Sequence, residues 1–140
     1  TATRMPQLVT SLLQRHGEAL TYMLGINDLY FDFAAPSLQT AGLPAEGPPF
    51  TLSAGDGSES AYQRIRDEQY QAGTVPEPLN LHGWQLVDEL NRAFAGEGPS
   101  LYVTPVHLVT PDNVGFDGGP NNVYDPENGY RDAYRKIWMP

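Results

Sequence analysis

The chain has 140 residues, enough for one domain with a modest core, and its 40% hydrophobic and 18% charged content fits a folded chain rather than a disordered one. A formal net charge of −9, with only eight Lys and Arg, argues against a nucleic-acid or anionic-membrane partner, because both need clustered basic residues. No cysteine is present, which excludes disulfides, thiol catalysis and thiolate metal sites. No apolar run reaches membrane-spanning length. The first residue is Thr1 and no signal peptide is visible, so a processed or partial chain is expected.

Leu8, Val9, Leu12 and Leu13 recur at helical spacing over residues 6–16, with Thr3 as a candidate cap and Gly17 as the stop. Residues 20–26 are apolar with almost no alternation, which predicts a short strand buried on both faces, as in a parallel sheet. Asn27-Asp28 ends that strand, and a helix is expected over residues 29–41, kinked or begun at Pro36 and closed by Gly42. A second strand, 50–54, stops at Gly55-Asp56-Gly57. Ser58 then caps a helix predicted for 59–71, whose apolar face (Ala61, Ile65, Ala72, with Tyr62 and Tyr70) is thin.

Prolines hold residues 74–78 extended. Residues 83–95 form a strongly amphipathic pattern with Trp84, Leu86, Val87, Leu90 and Phe94 on one side. Residues 101–109 read as a strand, and Pro105 favours an edge position. From 111 to 129 the chain has no period and is rich in Gly, Asn, Asp and Pro, as an ordered surface loop would be. A last helix near 128–138 offers Tyr130, Tyr134, Ile137 and Trp138 to an apolar neighbour. The fourfold alternation of helix and strand predicts an α/β fold, an open, mostly parallel sheet flanked by helices.

In such sheets ligands bind at the carboxyl ends of the strands. Two strand ends here carry polar side chains, Asn27 and Asp56, that suit a polyhydroxylated ligand. The Asn27 amide donates to one hydroxyl and accepts from another. The Asp56 carboxylate accepts two hydrogen bonds, and its glycine neighbours allow close approach. Residue type alone leaves both open: Asn27 also suits a helix cap and Asp56 a plain tight turn. Tyr30 either stacks on a sugar face or packs as an ordinary tyrosine. His16, His82 and His107 lack metal-ligand spacing, so no metal site is expected. Asp112, Asp117, Asp125 and Glu127 lack the EF-hand spacing. Phosphate-binding loops, dinucleotide fingerprints and nucleophile elbows are absent from the sequence.

Taken together, Gly25-Ile26-Asn27-Asp28, Ala54-Gly55-Asp56-Gly57, Thr74-Val75-Pro76-Glu77-Pro78 and Gly83-Trp84, in that order, resemble the ribose-type sugar-binding proteins of bacterial ABC importers. Residues 102–110 followed by Asp112-Asn113-Val114 look like the last crossing between lobes in those proteins, so the resemblance spans residues 5–114. Residues 120–140 look like the C-terminal extension of a longer-chain branch. The resemblance implies a periplasmic, non-enzymatic protein of the type 1 binding-protein fold, without a cofactor. Such a protein closes two lobes over a sugar and docks on a membrane permease.

By the same resemblance residues 1–78 are a C-terminal lobe, 79–100 a helix of the other lobe, and 101–140 a returning strand, loop and helix; the N-terminal lobe is missing. Asn27 and Asp56 become ligand groups, and Asp28 the structural cap of its pair. Glu77 stands where ribose-type members often carry Gln, so the hydroxyl pattern read there differs; a solvated charge is the plain alternative. The missing lobe, or a second copy, is expected to cover the Trp84/Leu90/Phe94 face. Two other functions remain open: the ligand-sensing domain of a LacI-type regulator, and a sugar-processing enzyme using Asp56 and Glu77.

Overall fold

The structure is a computed structural model that describes residues 2–139. Its centre is a three-stranded parallel sheet in the order β1 (Tyr22–Gly25), β2 (Phe50–Ala54), β3 (Gly73–Val75). Tyr22 lies opposite Phe50 and Gly25 opposite Ser53, while Leu52 lies opposite Gly73 and Ala54 opposite Val75. This register brings the three carboxyl ends to one edge of the sheet. α1 (Arg4–His16) precedes β1, α2 (Leu29–Thr40) joins β1 to β2, and α3 (Glu59–Arg66) joins β2 to β3. The α/β expectation holds.

Helix boundaries follow local chemistry. Gly17 ends α1 at φ +51°, but α1 starts without a side-chain cap, so Thr3 does not serve as one. Ser58 does cap α3, accepting from the Ala61 N–H at 3.2 Å. Pro36 sits well inside α2 rather than in its first turn. The third helix ends at Arg66, not 71, and Gln71 turns inward instead.

Val9, Phe31, Ala34 and Leu38 form one core, with Met5, Leu13 and Met23 against it. α1 and α2 therefore share the sheet face that carries Met23. Tyr62, Ile65, Val109 and Val114 form a second cluster. Strand side chains alternate between faces, so Tyr22, Leu24, Phe50 and Leu52 point the other way. Leu24 is 81% exposed there, and Ile26 beyond it 79%. The expectation that β1 is buried on both faces is thus corrected: its lack of alternation reflects two apolar faces, of which the described residues cover one. β1 is also an edge strand, and an apolar groove of about 420 Å³ runs beside it.

Residues 101–108 do not form the expected strand. They run without ladder partners, and only Val109 pairs, in an antiparallel bridge with Thr74. A strand needs a neighbour to hydrogen-bond, and among the described residues there is none for this segment. Part of the 111–129 stretch is more ordered than a surface loop: α5 (Val114–Asp117) packs Val114 into the second cluster.

The longest helix, α4 (Leu79–Phe94), is covered on one side by α6 (Tyr130–Trp138). The Trp84 and Trp138 rings stack at 5.2 Å and 8°, and Trp138 Nε1–H donates to Asp88 at 2.9 Å. Trp84 is therefore covered by the chain's own last helix, while Leu86, Val87, Leu90 and Phe94 stay exposed. Asp125 anchors α6 by accepting from Tyr130 Oη–H at 2.9 Å and from Arg131. Partial burial pushes the Asp125 carboxyl up, but the Arg131 and Tyr130 hydrogen bonds outweigh it, and the group sits below its ordinary value.

A carboxyl depressed on folding stabilises above its unfolded value, about 4, and that contribution vanishes as pH falls through the depressed one. Emission of the Trp84–Trp138 stack should therefore change in that acid window, and Asp125→Asn should flatten the change. Identical acid profiles for the two proteins would contradict this anchoring.

Candidate functional site

All three strands end in polar turns. β1 leads into Ile26-Asn27-Asp28, β2 into Gly55-Asp56-Gly57, and β3 into Pro76-Glu77-Pro78. The middle turn lies between the others: Gly55 N–H donates to the Val75 carbonyl at 2.8 Å. A Cβ on Gly55 would sit 3.3 Å from the Ile26 carbonyl oxygen and 3.8 Å from Glu77 Oε1. The turn takes φ +94°, +65° and +70° at Gly55, Asp56 and Gly57 in succession. Left-handed backbone at a non-glycine residue is uncommon and clusters at functional sites. A Cβ on Gly57 would also lie 2.4 Å from Pro76 Cβ, so glycine is required there twice over.

The Asp56 and Glu77 side chains are exposed, and neither has a hydrogen-bond or ion-pair partner among the described residues. Asn27 is half-buried. Its Oδ1 accepts from the Leu29 N–H at 2.8 Å, so it closes the turn into α2, while its amide N–H₂ has no partner among the described residues. Tyr30, in the first turn of α2, is half-buried and lines the apolar groove beside β1 with Met5, Leu8 and Ile26.

The neighbouring Asp28 behaves differently. It is fully buried and leaves its own helix uncapped. One carboxylate oxygen accepts from Ser53 Oγ–H and from Gln71 Nε2–H at 2.7 Å. The other accepts from Gly57 N–H at 2.8 Å, Ser58 N–H at 3.3 Å and Thr74 Oγ1–H at 3.2 Å. Asp28 is structural, as expected, but it caps the turn after β2 rather than the helix that follows it in sequence. The sequence assigns Ser53, Gln71 and Thr74 no part in the site. Their common signal is a polar residue at an otherwise apolar strand or its flank.

A larger groove, about 530 Å³, lies at the opposite end of the strands. Leu13, Leu20, Leu43 and Pro44 line it, and it offers little to a hydroxyl-rich ligand. Among the described residues no group of three or more His, Asp or Glu is placed to hold a metal ion.

No family model matches the chain, and no curated protein does. Solved structures do. A galactofuranose-binding protein superposes with a TM-score of 0.68 at 20% identity, covering 81% of this chain and 39% of its own. A Mycobacterium smegmatis protein in complex with β-D-fucofuranose gives 0.70 at 19%, covering 97% and 42%. The fold is that of a type 1 periplasmic binding protein lobe. The binding component of the arabinose ABC transporter of Shewanella sp. ANA-3, bound to arabinofuranose, gives 0.69 at 16%, covering 96% and 43%. The chain therefore spans about two fifths of the length of these structures, and the low identities carry the fold alone.

Proposed function

We propose that the chain is part of the sugar-recognition subunit of a bacterial ABC importer, working in the periplasm, with the ligand held at the three strand ends. The observation that carries this reading is the Gly55-Asp56-Gly57 turn, which offers a free carboxylate from a left-handed backbone between the two other strand ends. Asp56 accepts from adjacent sugar hydroxyls, the free Asn27 amide donates to one, and Glu77 accepts at the hinge side. Tyr30 borders the β1 side of the site. The sugars that these structures bind support the ligand class, and the transport role of the arabinose-binding component supports a reading without turnover.

In this reading residues 1–78 belong to the C-terminal lobe, 79–100 to the other lobe, and 101–140 return from it. The exposed Leu86, Val87, Leu90 and Phe94 face forfeits roughly 1.5–3 kcal/mol per large side chain while it stays in water. The remaining lobe covers it, or a second copy does, and the closed pair docks on the permease. β1 to α2 to β2 steps across the sheet in one direction, and α1 lies on the same face as α2. Parallel crossovers are right-handed, so a strand leading into α1 would lie on the free β1 edge, beside the uncovered Leu24 and Ile26.

Half a cleft supplies half the contacts. Calorimetric titration of the 140-residue chain with a panel of pentoses and hexoses should give millimolar or weaker affinity. Micromolar binding by the chain alone would overturn the shared-cleft reading.

A further inference from the structure

We propose that Asp28 is the positioning residue of the ligand turn, and that Gln71, itself fixed by Arg64, keeps the Asp28 carboxylate aimed at that turn. The proposal rests on the reading of Asp56 as a ligand group, but it concerns residues that touch no ligand.

The geometry makes a directed chain of hydrogen bonds. Arg64 donates from Nε at 2.9 Å and from a terminal nitrogen at 2.7 Å to Gln71 Oε1. Its other terminal nitrogen pairs with Asp32. An arginine has only donors, so the Gln71 oxygen must face Arg64 and the Gln71 amide N–H₂ must face Asp28. That amide fills one side of the Asp28 carboxylate, together with Ser53 Oγ. The other carboxylate oxygen is thereby turned to Gly57 N–H and Ser58 N–H, the two amides that follow Asp56 directly. Asp28 accepts as well from Thr74 on β3. One buried carboxylate thus joins all three strand ends, and it grips the middle turn by its backbone on the C-terminal side of the ligand residue.

Gly55 N–H on the Val75 carbonyl at 2.8 Å holds the start of that turn, and among the described residues Asp28 alone holds its far side from outside. Apart from Asp28, the Gly57 N–H has only the Gly55 carbonyl at 3.1 Å, a contact within the turn itself. Left-handed backbone at the non-glycine Asp56 persists only where its surroundings hold it, and the Asp28 clamp on the next two amides fixes the direction in which Asp56 points.

Amide hydrogen exchange followed by NMR tests this without any sugar, so its failure is distinguishable from failure of the binding reading. The reference is the Ala72 amide, which donates to the Thr51 carbonyl at 2.8 Å in the sheet. In Asp28→Asn the Gln71 N–H₂ takes the one remaining oxygen, so the new amide N–H₂ is turned on the Gly57 and Ser58 N–H groups, donor against donor. Exchange at Gly57 and Ser58 should then rise at least about tenfold relative to Ala72. The double variant Asp28→Asn with Gln71→Glu restores complementarity, since the carboxylate introduced at position 71 accepts both from the amide introduced at position 28 and from Arg64, and it should recover most of the protection. A uniform rise at all amides, or no recovery in the double variant, would overturn the proposal and leave Asp28 a general stability residue. Should Asp28→Asn not fold, Gln71→Met takes its place: faster exchange confined to Gly57 and Ser58 supports the proposal, and unchanged ratios overturn it.

Discussion

Replacing Phe31 by Ala should leave most of the chain unfolded near physiological temperature. Phe31 is buried at the centre of the cluster with Val9, Ala34 and Leu38, under the α1–α2 contact. Its ring edge reaches β1 so closely that a Cβ on Gly25 would sit 3.0 Å from it. Removing a buried phenylalanine costs about 3–5 kcal/mol, against about 5–15 kcal/mol for a whole domain. This chain starts toward the lower end, because Leu24, Ile26, Leu90 and Phe94 remain in water. The unfolding midpoint should fall by about 10 °C or more, read by circular dichroism. A midpoint close to the parent's would mean that the α1–α2 core is not what holds the sheet. Gly25→Ala should act in the same direction, because the new methyl would push the Phe31 ring aside.

The second large effect is on binding. In the protein with its cleft complete, Asp56→Asn should weaken sugar affinity about 10- to 100-fold, since each hydrogen bond to a charged group is worth about 1.5–3 kcal/mol. The amide replaces one acceptor oxygen with a donor. Asn tolerates the left-handed backbone at φ +65° as Asp does, so the turn and the unfolding midpoint should be preserved. That separates loss of a ligand group from loss of the fold. An unchanged affinity would remove Asp56 from the site, and the Gly55-Asp56-Gly57 turn would then be only a tight connection.

Much of this architecture was legible because it is written locally. Apolar runs ending in Asn27-Asp28 and Gly55-Asp56-Gly57, each followed by a helical period, mark parallel strands with their polar ends together, and the register agrees with that arrangement. What was not legible depends on distance across the chain. The division of labour between Asn27 and Asp28 is set by Ser53, Gln71 and Thr74, which are remote in sequence and near in space. The sequence predicts that Gln71 closes a helix, yet the residue leaves α3 behind and turns into the buried network.

Trp84 looked like part of an uncovered stripe because nothing local shows that α6 returns to stack on it. Residues 101–108 carry a strand's composition without a strand's neighbour. Composition records what a segment would pair with, while pairing itself requires the other strand to be there.

The most direct test of the strand-end site is a perturbation map. A ¹⁵N-labelled sample of this chain would be titrated with arabinose, ribose and galactose at high millimolar concentration, beside Asp56→Asn. Amide shifts confined to residues 25–30, 54–58 and 75–79, and lost in Asp56→Asn, are the predicted result. Shifts centred on the groove of Leu13, Leu20 and Leu43, or an identical response in the variant, would contradict it.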